Sequence, residues 1–78
     1  MSRHLRKRSL ILAGHDTSVA LEPAFWSVLE DMITHQKVTL AQLVTQVDAT
    51  RAPDQSLASA LRVTALEWLQ QPKGSDPA

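Results

Sequence analysis

The chain has 78 residues and no cysteine, which excludes a disulfide framework, a thiolate nucleophile and a zinc–thiolate site. A single domain this small buries a modest core, and without a staple it is a candidate for obligate association. Basic and acidic residues balance at eight each, but Arg3, Arg6, Lys7 and Arg8 all fall in the first eight residues, leaving four basic residues against every acid in the remainder.

In chain order, residues 1–8 read as a flexible basic arm of the kind that contacts nucleic acid or stays solvated. Ser9 to Ala13, "SLILA", is an apolar run with strand character. It is too short for a signal-peptide core or a membrane span, so the chain is expected to be soluble and cytoplasmic, with no membrane partner. Gly14-His15-Asp16 can turn the chain. Thr17 to Leu21 alternates, with Thr17, Val19 and Leu21 on one face and Asp16, Ser18 and Ala20 on the other. Residues 9–13 and 15–21 can form a hairpin or one long bent strand.

Glu22-Pro23 ends the strand and opens a helix, expected from about Pro23 to about Thr34. Phe25, Leu29, Met32 and Ile33 form its apolar face, widened by Trp26, and aromatics at this spacing read as core. A short connection, His35 to Thr39, leads to a second helix. Thr39 and Gln42 have the form of a capping box, and Leu40, Leu43, Val44 and Val47 make its stripe. Pro53 breaks the chain. Asp54 or Ser56 can cap a third helix, with Leu57, Leu61, Ala65, Trp68 and Leu69 along one side. Pro72, Gly74 and Pro77 end it in a tail. The expected organisation is a basic arm (1–8), one domain (9–71) and a disordered tail (72–78).

A lone strand cannot satisfy its own backbone groups. The direct remedy is to pair antiparallel with the same strand of a second copy around a two-fold axis. Two helices would cover one face of the shared ribbon and leave the other free.

A strand before two amphipathic helices, preceded by basic residues, resembles the ribbon-helix-helix fold. Gly14, His15, Thr17, Ser18, Leu21, Glu22, Phe25 and Trp26, with Asp48 and "SLASALR" (Ser56 to Arg62) downstream, resemble a small bacterial subfamily of it. The resemblance implies a mainly α chain with a short N-terminal β-ribbon and a third, C-terminal helix. It further implies an intertwined homodimer with intermolecular antiparallel strands. Its dimer core would hold Val19, Leu21, Phe25, Trp26, Leu29, Leu43, Val44 and Val47. It implies double-stranded DNA as partner, with Asp16, Ser18 and Ala20 facing the major groove. The helix start at Thr39-Leu40 would clasp a phosphate, and Arg3, Arg6, Lys7 and Arg8 would hold others. The ribbon departs from the family pattern, because Asp16, Ser18 and Ala20 stand where other members carry long polar or basic side chains.

Other chemistry is weakly supported. His4, His15 and His35 match no metal-ligand spacing, and no cofactor motif is present. His15 beside Thr17 reads as a hydrogen bond that orders the turn rather than as a base beside a hydroxyl, so no enzyme is expected. Asp48 can accept from Ser56 or Ser59 or pair with Arg51 or Arg62. A second reading makes the dimer a scaffold, as in antitoxins of this fold, with a protein partner anchored on Trp68 and Leu69.

Overall fold

A computed structural model describes residues 4–71 of the chain; Arg3 and the tail expected over 72–78 lie outside them. Strand β1 (Arg6–Leu12) and strand β2 (His15–Leu21) are followed by helices α1 (Pro23–Gln36), α2 (Leu40–Thr50) and α3 (Leu57–Gln70). The strands form a two-stranded antiparallel hairpin, with Arg6 opposite Leu21, Ser9 opposite Ser18 and Leu12 opposite His15.

Of the two options for residues 9–21, the structure takes the hairpin, with β1 along one edge of β2. The basic arm is shorter than expected: Arg6, Lys7 and Arg8 are strand residues. Their charge resembles a solvated terminus, but alternation along "RKRSLIL" sends Arg8, Leu10 and Leu12 inward and leaves the residues between them outside. The tight link is Ala13-Gly14, both left-handed at φ 51° and 83°, as a two-residue turn matching strand twist demands.

Each helix begins and ends for a local reason. Pro23 occupies the first turn of α1, where its missing N–H costs nothing. Lys37 adopts a left-handed conformation, φ 60°, and the amides of Lys37 and Val38 both return to the Ile33 carbonyl. This carries α1 two residues past its expected end. The capping box of α2 is present in both directions: Gln42 N–H donates to Thr39 Oγ1 at 3.0 Å, and Thr39 N–H donates to Gln42 Oε1 at 2.8 Å. Ser56, rather than Asp54, caps α3 by accepting from the Ser59 amide at 3.1 Å.

One core runs through all five elements: Leu12, Val19, Leu21, Trp26, Leu29, Met32, Leu43, Val44, Val47, Ala60, Leu61 and Ala65. No polar or charged residue is buried among the described residues. The positions expected to form a dimer core are therefore buried within one chain, with Phe25 only half-buried at the margin. Trp26 is central rather than peripheral. On α3, Leu57 and Trp68 pack partly against the core, whereas Leu69 is 47% exposed.

Candidate nucleic-acid interface

The hairpin has two chemically different faces. Strand alternation and register place Lys7, Ser9 and Ile11 of β1 beside Ala20, Ser18 and Asp16 of β2 on the outer face. Five of these six are exposed and Ala20 is half-exposed. At the centre, the Ser9 and Ser18 hydroxyls lie 3.4 Å apart. Ile11, at 66% exposure, is the most open of the large apolar residues among the described residues. The face thus offers a cation at the open end, two hydroxyls in the middle, and an acid beside a branched apolar chain near the turn.

The opposite face fixes the hairpin to α1. The indole N–H of Trp26 donates to the Arg6 carbonyl at 2.8 Å. The Arg8 guanidinium lies 4.7 Å from the Trp26 ring centre and donates through Nη1 to Glu30 Oε2 at 2.6 Å. Glu30 therefore holds β1. Arg8 is committed to this packing, while Arg6 and Lys7 stay exposed. All three basic residues line a cleft of about 500 Å³ with Pro23, Trp26, Ser27 and Glu30.

The start of α2 offers a second surface. Its capping box occupies the Thr39 and Gln42 amides. The Leu40 and Ala41 amides, in the first turn, have no intrahelical acceptor. The open N–H groups are therefore one residue further on than the Thr39-Leu40 pair expected from the sequence.

The remaining candidates separate. His15 and Thr17 do not hydrogen-bond to each other; instead both line a cleft of about 340 Å³ with Leu12, Ala13, Thr45, Asp48, Arg51 and Leu57. Register explains this: the two side chains share the inner face but stand beside different partners, Leu12 and Leu10. Asp48 accepts from Arg51 Nε at 2.7 Å, and Arg51 Nη1 donates to the Gln55 carbonyl at 2.6 Å, tying the end of α2 to the following loop. Arg62 donates instead to Glu22 at 2.9 Å, holding the Glu22 carboxyl below the ordinary value of 4.5. His35 meets the edge of the Trp68 ring, with centroids 6.1 Å apart. Among the described residues, no group of three or more His, Asp or Glu side chains could hold a metal, and no helix is long and apolar enough to cross a membrane.

The sequence pattern places Asp16, Ser18 and Ala20 on the outer face of the ribbon but not Ser9 and Ile11, which the register adds to it. It assigned Lys7 to the arm. The signal was available in the alternation of β1, but the apolar run "SLILA" reads as continuous until its register with β2 is known. A model of the ribbon-helix-helix domain matches residues 5–69. No curated protein and no solved structure gives a significant match.

Proposed function

We propose that this chain, which belongs to the ribbon-helix-helix family, is a small bacterial transcriptional regulator that acts as a homodimer on double-stranded DNA. Domains of the family generally bind DNA as dimers and are typically not enzymes. The observation that carries the reading is the outer face of the hairpin. It joins Lys7, two serines and an exposed isoleucine on a ribbon held from behind by Trp26 and Glu30. A two-stranded ribbon fits the major groove, and base edges there are read by donors, acceptors and methyl contacts. Arg6, exposed on β1, suits a phosphate, and the open amides at the start of α2 suit another.

The test is selection from a pool of random duplexes at near-physiological salt, followed by a salt titration on the winning sequence. Enrichment of a short repeated site is expected, with affinity falling log-linearly as salt rises. Retention without enrichment would reduce the chain to a phosphate binder, and no retention would remove DNA from its function.

A second reading has one observation of its own. Val63, Leu66 and Leu69 expose 42%, 51% and 47% of their surface along one side of α3. In that reading the dimer is a scaffold and α3, with Trp68 at its margin, docks a protein. Leu66→Glu separates the roles: a shift to monomer in sedimentation identifies a subunit interface, and an unaltered dimer leaves the stripe open to a partner.

A further inference from the structure

We propose that the cleft between the hairpin turn, the end of α2 and the start of α3 binds a small zwitterion of the α-amino-acid type, one with an apolar side chain. The site stands apart from the DNA-binding reading, since it uses no outer-face residue and needs no nucleic acid. It gives a role to His15, Thr17, Asp48 and Arg51, which DNA contact leaves without one.

The first argument is shape. The cleft has a volume of about 340 Å³, within the range of about 300–1,000 Å³ usual for small-ligand sites. Leu12, 7% exposed, and the half-buried Leu57 supply apolar wall. The polar groups come from separate elements: His15 and Thr17 from β2, Thr45 and Asp48 from α2, and Arg51 from the C-cap of α2. Apolar walls with a few convergent polar groups are the general form of such a site.

The second argument is the sorting of donors and acceptors. Asp48 Oδ1 accepts from Arg51 Nε, and Arg51 Nη1 donates to the Gln55 carbonyl. These bonds leave Asp48 Oδ2 as an acceptor and the Nη2 protons of Arg51 as donors. The Thr45 hydroxyl donates to the Ala41 carbonyl at 2.7 Å, so toward the cleft it only accepts. Thr45 and Asp48 stand three residues apart on one side of α2. Together they suit an ammonium group. Among the described residues, neither the Thr17 hydroxyl nor the His15 ring has a hydrogen-bond partner. Thr17 is therefore free to donate, with Arg51, to a carboxylate.

The third argument sets simpler ligands aside. Asp48 and Arg51 are paired at 2.7 Å, so the cleft presents both signs side by side. A carboxylate without an amine would gain Arg51 but meet the Asp48 carboxylate. An amine without a carboxylate would meet the reverse conflict. A zwitterion places each of its charges beside the opposite one, and Leu12 and Leu57 receive its apolar side chain. The ion pair is partly exposed, at 30% for Arg51 and 42% for Asp48, so each charge contributes modestly and apolar contact supplies the rest. A ligand held in this way bridges β2 to α2 and draws the turn of the hairpin toward the helices.

The test is isothermal titration of the full chain with three compounds that share one ring: phenylalanine, 3-phenylpropionate, which lacks the amine, and 2-phenylethylamine, which lacks the carboxylate. Phenylalanine is expected to saturate with a Kd on the order of 1 mM or tighter. Each single-charge analogue is expected to bind roughly fivefold more weakly. Amide shifts in nitrogen-15 correlation spectra should saturate with phenylalanine and centre on residues 12–17, 45–51 and 57. Asp48→Asn keeps an oxygen that accepts from Arg51 and removes the charge that meets the ammonium, so it should abolish the preference for phenylalanine over 3-phenylpropionate. Thr45→Val, at an exposed position, should weaken phenylalanine and leave 3-phenylpropionate unchanged. The proposal is overturned if phenylalanine shows no saturable binding in the millimolar range, or if the three compounds bind equally, which would reduce the cleft to an apolar contact. It is also overturned if the shifts centre on the exposed side of α3, or if neither variant alters the ratio of the two affinities.

Discussion

The two faces of the hairpin are built from the same two strands, offset by one residue, and they obey different rules. On the inner face, Leu10, Leu12, Val19 and Leu21 fill space in the core, and the Arg8 charge is laid on an indole ring and paired with Glu30. The outer face is mostly exposed and runs from Lys7 past the Ser9–Ser18 pair to Ile11 and Asp16. Burial makes the inner face intolerant of changes in volume. The outer face is constrained only by what it meets. A side chain's role here follows from its parity along the strand, since Lys7 and Arg8 are neighbours with opposite fates.

The contrast breaks most visibly at Trp26. Trp26→Ala is expected to cost about 3–5 kcal/mol through the cavity it leaves. It also removes the indole contact that holds β1. Trp26→Phe keeps most of the ring volume and loses the 2.8 Å bond to the Arg6 carbonyl, so a smaller loss of roughly 1–2 kcal/mol is expected. Urea denaturation followed by far-ultraviolet circular dichroism measures both. Equal losses for the two variants would mean that the hydrogen bond, and not the ring volume, fixes the hairpin to α1.

The turn sharpens the comparison, because it sets the parity of both strands. Gly14 has φ 83° with no atom near the position of an added Cβ, so the penalty for Gly14→Ala is conformational, about 1–2 kcal/mol. Ala13 already bears such a penalty at φ 51°. Ala13→Gly should therefore stabilise the hairpin slightly or leave it unchanged, and opposite signs for these two substitutions in thermal melts would confirm the pair of left-handed residues.

This turn also explains how much was legible beforehand. A hairpin was one of two options, because Ala-Gly is a weak version of the Asn-Gly signal and alanine is not favoured at positive φ. The helices were clearer. Thr39 and Gln42 announced the start of α2 by a mechanism that needs no tertiary context, and its stripe of Leu43, Val44 and Val47 is buried as read. On α3 the stripe failed only at its end. Steps of four residues from Leu57 through Leu61 and Ala65 to Leu69 each advance by 40° beyond a full turn. Leu69 has therefore rotated off the face that Trp68, at a step of three, rejoins. The candidate site was the least legible part. Four basic residues near a terminus look alike in sequence, and only pairing separates Arg8, bound to the core, from Lys7, open to a partner.

The smallest expected effect concerns the joint just after the hairpin. Glu22 lies between β2 and α1, at the N-cap of α1, and accepts from Arg62 of α3 across 2.9 Å. Both side chains are well exposed, at 33% for Arg62 and 43% for Glu22, so the pair contributes little at neutral pH and is screened by salt. Its signature lies in the acid range. The hydrogen bond from Arg62, chiefly, lowers the folded-state pKa of Glu22 below the ordinary value of 4.5. A depressed carboxylate adds stability that is fully present above the unfolded-state pKa and is lost as pH falls through the folded one. Stability should therefore decline below about pH 4.5 by an amount that Glu22→Gln removes, leaving a shallower acid limb and a nearly unchanged value at pH 7. Parallel acid limbs for the two proteins would mean that this bond does not hold Glu22 ionised, and that α3 is joined to the end of the hairpin by packing alone.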